Sequence, residues 1–449
     1  MPVCTGVFQI LPQAKLYNLG VIVFLSKYYE KLAAHRYGLT LAAYITSAFI
    51  TGVACVAFMR AFSAADSHRI DFARFGWWAL LLSPALFCVA VALVKRFAPF
   101  AAGSGIPQTI YVIRHGEECP SSIHAMTSPL TLAVKVVSIL IGVWAGASAG
   151  REGPTVQIAM CMMFLCMGLF EKFLPIKPDP RSLALSGGAA GLAAAFNTPL
   201  AGVTFALEEL SGRYFESIKD YALMAIIVAA LSAKVLTGNY IYFGKLPDPQ
   251  ELHITAIVLI SIVAGVAGHL FSLAMLAGTR LVARYSGRRF FWLFPAFCAL
   301  AVIGLACLAG PAINGPGNGA AQKYLQQEAA GSPFLFSTAK FLATAITYCS
   351  GIAGGIFAPS LAIGSGIGAG IADLLQYPAG SCALVGMSAF LCGAILAPMT
   401  SFVIIFELTG HHTMILPIML ASLIAYMTAK MLGAKSLYST LADRYEKTF

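Results

Sequence analysis

Charged side chains are scarce in this sequence. Asp, Glu, Lys and Arg make up 11% of its 449 residues against 59% hydrophobic, and the mean hydropathy is +0.80. Soluble domains run nearer a quarter charged, so too few charges remain here to cover a soluble surface. In a bilayer that shortage disappears, because lipid solvates most of the exterior. Cysteine pairs are missing as well: eleven cysteines are scattered without one CxxC. They read as buried free thiols and predict neither disulfides nor a metal site. A signal peptide is absent, since Leu19 to Leu25 is a short apolar stretch with no clean small-residue cleavage site. No HExxH set and no nucleophile with its base can be found, which argues against an enzyme and predicts no cofactor.

Basic residues dominate what charge there is, and the formal net charge is +10. They do not form a stripe with interleaved aromatics, which excludes nucleic acid as a partner. Lys27, Lys31 and Arg36 precede the first long apolar run, Arg280, Arg284, Arg288 and Arg289 lie between two later ones, and Lys435, Arg444 and Lys447 stand at the end. That loop bias predicts a multi-pass protein of the cell (inner) membrane with both termini in the cytoplasm.

Apolar runs begin near residues 38, 76, 127, 155, 182, 219, 253, 289, 334, 360, 381 and 411. A straight span needs about 20 residues to cross about 30 Å of hydrocarbon. Several runs are shorter, and the 42 glycines and 22 prolines interrupt others. The reading is an all-α polytopic fold with tilted, short and re-entrant helices. An N-terminal cytoplasmic or interfacial helix is expected over 1–37, one transport domain over 38–434, and a short cytoplasmic tail over 435–449.

An internal repeat runs through that domain. At an offset of 205, Lys135 matches Lys340, Gly146 matches Gly351, Gly150 matches Gly355 and Pro154 matches Pro359. At an offset of 199, Gly187 matches Gly386, Pro199 matches Pro398 and Glu208 matches Glu407. Repeat 1 covers about 38–245 and repeat 2 about 253–434. Paired Gly/Pro interruptions in two halves point to a binding site near the midplane of a transporter.

Three of these interruptions suit an anion: Gly103-Ser104-Gly105-Ile106-Pro107, Gly150-Arg151-Glu152-Gly153-Pro154 and Gly355-Ile356-Phe357-Ala358-Pro359. A helix start presents unpaired N–H groups and the positive end of its dipole. Gly lets the backbone approach an ion, and Pro suits a first helical turn. Small residues that merely let helices pack closely would explain any one segment alone; three, two of them repeat-related, favour a site. Glu152 is an intramembrane carboxylate beside those amides, so its charged form can occupy the anion's place and its protonated form can leave it. The bland alternative is a structural pair with Arg151. Glu208 and Glu407, as repeat mates, read as structural helix-end residues. Glu209, matched by Leu408, is the better candidate for relaying protons. Ser104 and Tyr438 offer hydroxyls near the path, although each residue type more often only packs. His411 and His412 read as an interfacial pair.

Assembled in this order, the GSGIP, GREGP and GIFAP segments and the tyrosine after the final helix resemble the CLC family of chloride channels and chloride/proton antiporters, of the prokaryotic type without cytoplasmic nucleotide-sensing domains. The resemblance implies two inverted-topology repeats, a homodimer, and a separate pore in each subunit. It implies that Ser104, Tyr438 and the backbone N–H groups of Ile356 and Phe357 hold chloride, and that Glu152 gates the outer side. Glu209 corresponds to the inner proton glutamate of antiporters, which favours chloride/proton antiport over a passive channel. Ser104, where nitrate-preferring members have Pro, and the unaltered GREGP favour chloride. Gln108 and Ile110 depart from relatives that carry acids there.

Overall fold

Prolines set where many helices begin. Pro lacks the N–H that a first helical turn cannot satisfy and already holds the helical φ. The protein, described here from a computed structural model, resolves this pattern for residues 19–116, 118–174, 177–210, 215–238, 242–285, 292–328 and 331–446. Pro120, Pro129, Pro180, Pro199, Pro333 and Pro398 each open a helix. Left-handed residues end several others: Gly351, Gly410, and the repeat mates Asn197 (φ 58°) and Leu396 (φ 62°).

In chain order the first half contains α1 (Leu19–Ser67), α2 (Phe72–Phe75), α3 (Ala79–Phe97), α4 (Ile106–His115), α5 (Pro120–Thr127), α6 (Pro129–Trp144), α7 (Glu152–Phe170), α8 (Pro180–Phe196), α9 (Pro199–Phe205) and α10 (Phe215–Thr237). The second contains α11 (Ile254–Tyr285), α12 (Phe294–Ala309), α13 (Asn318–Leu325), α14 (Pro333–Ser350), α15 (Phe357–Leu375), α16 (Ala379–Ile395), α17 (Pro398–Thr409), α18 (Ile415–Met431) and α19 (Leu437–Glu446). The fold is all-α. Helices α6 to α10 and α14 to α18 follow one another in the register of the repeat.

Among the described residues six helices are long and apolar enough to span a membrane, and α5 with α6 makes a seventh only as a pair bent by 43°. Four more apolar helices are shorter than a span. This is what frequent Gly and Pro lead one to expect. Large apolar side chains cover the outside, among them Trp77, Leu81, Val235, Phe297 and Met431, as lipid contact requires. The middle is different. Residues Phe357 to Ala372 of α15 and Gly380 to Ile395 of α16 are buried, because glycines let their backbones touch. A Cβ on Gly364 would lie 2.5 Å from the Gly386 carbonyl oxygen, and one on Gly368 would lie 2.1 Å from that of Cys382.

Both ends of the described chain run into helices that pack on the fold. Residues 1–18 and 447–449 lie outside the described residues. From Leu19 the backbone continues without a break through position 38 into the first span, as one helix of 49 residues. At about 1.5 Å per residue it is longer than a bilayer is thick. The segment after Ala434, the expected short tail, packs against the rest of the protein. It carries α19, whose Leu437, Tyr438, Leu441 and Ala442 are buried, and Arg114 of α4 reaches across to Ser439 and to Asp443 (2.6 Å).

The halves are joined by exchanged contacts. The Glu208 carboxylate accepts the N–H groups of Met399 (3.1 Å) and Thr400 (2.7 Å) at the start of α17. Glu407 accepts those of Leu200 (3.1 Å) and Ala201 (2.6 Å) at the start of α9. Adding 199 turns Glu208, Leu200 and Ala201 into Glu407, Met399 and Thr400, so each half's glutamate holds the other half's helix start. These glutamates are structural, as their pairing in the repeat suggested. Each serves the opposite half's helix start rather than its own helix end, which only the fold reveals.

A candidate anion site at three helix starts

The loops before α4, α7 and α15 meet at the junction of the halves. Gly150 N–H donates to the Gly355 carbonyl (2.8 Å) and Gly355 N–H returns the bond (2.9 Å). The repeat mates thus pair antiparallel with each other, which is the pairing that a local two-fold axis gives. The exchange continues in the side chains. A Cβ on Gly150 would lie 2.9 Å from Cδ of Pro359, and one on Gly355 would lie 3.0 Å from Cδ of Pro154. The third loop joins alongside: Gly103 N–H donates to the Ile352 carbonyl (3.2 Å) and Gly354 N–H to that of Gly103 (3.0 Å).

Buried lysines fix these loops. Lys135 Nζ donates to the carbonyls of Ala101 (3.0 Å) and Gly103 (2.7 Å). Its mate Lys340 donates to those of Ile313 (2.8 Å) and Gly315 (2.6 Å) and to Ser148 Oγ (2.9 Å). This exposes a loop that the sequence reading missed. Gly315-Pro316-Gly317 before α13 is the counterpart of Gly103-Ser104-Gly105, with positive φ at the same two places (62° and 84° against 63° and 100°). The signal was present, but at an offset of 212, because α5 lengthens the first half between loop and lysine. Gln108, the departure noted above, donates to the carbonyls of Phe100 (3.0 Å) and Ala102 (2.8 Å), which an ionised carboxylate could not do.

Within this frame Ser104 and Tyr438 are buried, and among the described residues neither hydroxyl has a hydrogen-bond partner. Buried polar atoms without partners call for a ligand or water. Gly153 leaves Ser104 its room, since a Cβ there would lie 2.2 Å from Oγ. Ile356 is the N-cap of α15 and Phe357 its first residue, where N–H groups have no acceptor inside the helix. The Phe357 ring stacks on Tyr438 (centroids 5.9 Å apart) and meets Phe205 and Phe196 edge-on, so the wall is apolar. Dipoles and hydroxyls in an apolar wall suit a small anion without fixing it as a full counter-charge would.

A carboxylate lies on each flank. Glu152, fully buried at the start of α7, accepts a hydrogen bond from Tyr242 (2.9 Å); its Oε2 has no partner, and Arg151 is 3.9 Å away. Arg151 opens onto a cleft of about 740 Å³ that Asp66, Arg69, Asp71, Arg74, Asn318 and Lys323 also line. Four cations against two carboxylates bias that cleft toward anions. On the opposite flank, α9 runs on into a π-helical turn over Ala206–Leu210, and Glu209 accepts a bond from Ser436 (3.1 Å), two residues before Tyr438. The corresponding stretch of α17 stays α-helical and carries the buried Leu408. Tyr242 and Asn318 were not picked out from sequence; Tyr242 stands in a connection and Asn318 opens α13, and neither belongs to a motif named above.

The profile of the family described as "Voltage gated chloride channel" matches residues 85–430. The H(+)/Cl(-) exchange transporter ClcA of Cronobacter sakazakii is 32% identical over 421 residues, covering 88% of this chain and 87% of that protein. ClcA of Salmonella typhimurium is 31% identical over 88% of this chain and 86% of its own. Among solved structures, a slow cyanobacterial Cl-/H+ antiporter superposes with a TM-score of 0.80 at 27% identity, covering 91% of this chain and 98% of that one.

Proposed function

Since this chain belongs to the voltage-gated chloride channel family, we propose that it is a chloride/proton antiporter that moves the two ions in opposite directions through a path in each subunit. The observation that carries this reading is the pair of buried, unpartnered hydroxyls of Ser104 and Tyr438 beside the first turn of α15, with a carboxylate on either flank. Chloride is held by those hydroxyls and by the N–H groups of Ile356 and Phe357. Gly103, Gly105, Gly150, Gly153 and Gly355 let the backbones approach, and Pro107, Pro154 and Pro359 pre-set the helix starts. Arg151 draws anions into the outer cleft.

Glu152 is the gate. Charged, it competes with chloride for the helix-start amides; protonated, it releases them. Glu209 hands protons to the path from the cytoplasmic side, and no cofactor takes part. Both termini lie in the cytoplasm of the cell that holds the protein in its inner membrane. A homodimer is the assembled form, for which the exposed Leu200, Leu231, Met399, Leu416 and Leu423 of α9, α10, α17 and α18 supply an apolar face.

Purified protein in liposomes tests the reading. An imposed chloride gradient should drive protons uphill; chloride movement without proton movement would make the protein a channel. Glu209→Gln should abolish proton transport while chloride still flows, and persistence of both would remove Glu209 from the proton path.

A further inference from the structure

Among the described residues, the one hydrogen bond that reaches the Glu152 carboxylate comes from a residue outside every motif. A carboxylate can only accept, so the Tyr242 hydroxyl must donate its single proton to Oε1 at 2.9 Å. The tyrosine oxygen accepts in turn from Asn318 Nδ2 at 2.8 Å. Asn318 is the first residue of α13, follows Gly317 in its left-handed turn, and lines the outer cleft. The chain from cleft to carboxylate is therefore Asn318, Tyr242, Glu152. Tyr242 has little freedom to move: its ring packs edge-on against Phe196 (5.4 Å) and Phe243 (5.0 Å), and the Arg151 guanidinium sits over it at 5.6 Å.

We infer that Tyr242 and Asn318 are positioning residues that form an outer latch, in which the Tyr242 hydroxyl opposes the competition of the charged Glu152 for the helix-start amides by drawing it outward, and Asn318 orients that hydroxyl. In the latched pose the hydroxyls of Ser104 and Tyr438 are not engaged by the carboxylate. The charged and titratable groups that face Glu152 are Arg151 from its own helix start, Tyr242 from the α10–α11 connection, and Tyr438 of α19 across the site. The aromatic wall from α8 and α15, Phe196 and Phe357, brings none, and α13 brings the neutral Asn318. Without its donor, the charged carboxylate is left with Arg151 and with the helix-start amides, where it displaces chloride. The latch rests on the proposed role of Glu152 as the gate.

Chloride efflux from liposomes loaded with Tyr242→Phe protein reads this directly. Near neutral pH efflux should fall about tenfold, the order expected from one lost hydrogen bond to a charged group. At a pH low enough to protonate Glu152 the variant should match the wild type. Asn318→Ala should show a smaller loss with the same pH profile. In a Glu152→Gln background Tyr242→Phe should change nothing. Equal slowing at both pH values, or slowing that persists beside Glu152→Gln, would overturn the latch and leave Tyr242 a packing residue. Chloride binding to the purified protein gives an arm independent of transport. Near neutral pH, Tyr242→Phe should weaken it in the wild-type background and leave it unchanged beside Glu152→Gln. A protein that binds chloride in this pattern but does not exchange it for protons would sink the antiport reading and keep the latch.

Discussion

At the scale of single residues, space around the site is fixed to within an atom. Gly153→Ala would put a methyl carbon 2.2 Å from Ser104 Oγ and 3.2 Å from the Gly355 Cα, so chloride affinity should fall at least tenfold, about 1.4 kcal/mol. Gly168→Ala, with nothing within 4 Å, is the control and should bind as the wild type does; equal affinity in both variants would refute the packing account. Lys340→Met should be worse for stability than for chemistry. It leaves two backbone carbonyls and Ser148 Oγ without their buried donor, a loss of about 3 kcal/mol, visible as a lower unfolding midpoint in detergent. Ser104, Glu152 and Tyr438 could be singled out from sequence because each sits in or beside a patterned segment. Tyr242 could not. Its hydroxyl matters only because a connection between α10 and α11 folds back over α7, and no local pattern encodes that return.

At the scale of elements, the exchanged glutamates make a quantitative claim. Glu208→Ala should destabilise α17 and Glu407→Ala should destabilise α9, each by about 1 kcal/mol, as for loss of a helix cap. The two capping sites share no partner, so the double variant should lose the sum; a thermal-unfolding series that shows one large and one negligible loss would deny the symmetry. The sequence revealed that these residues correspond, since Pro and Glu at one offset are hard to match by chance. It could not reveal that each reaches the other half, because a repeat specifies equivalence and not contact. The Gly315-Pro316-Gly317 loop escaped notice for a related reason: α5 shifts the offset, and offset matching fails wherever one half holds an extra helix.

At the scale of the whole molecule, the proposed chloride site exists only when both halves are joined, since its hydroxyls, helix starts and flanking carboxylates come from α4, α7, α9, α15 and α19. Chloride should therefore stabilise the entire fold. At a hundredfold excess over its dissociation constant the gain is about 2.7 kcal/mol, to be read as a rise in melting temperature when a large inert anion is exchanged for chloride. No rise would mean that the pocket does not bind chloride in the folded state. Composition and helix punctuation made the all-α membrane fold legible, whereas the place where its halves touch is a tertiary property. The exchanged capping also bears on how the chain is made. Leu200 leaves the ribosome 207 residues before Glu407, so at about 5–20 residues per second the start of α9 waits roughly 10 to 40 s for its cap. During that interval the first half must dwell in the insertion machinery or in lipid with bare amides, and slowing translation of the second half should expose it to quality-control proteases.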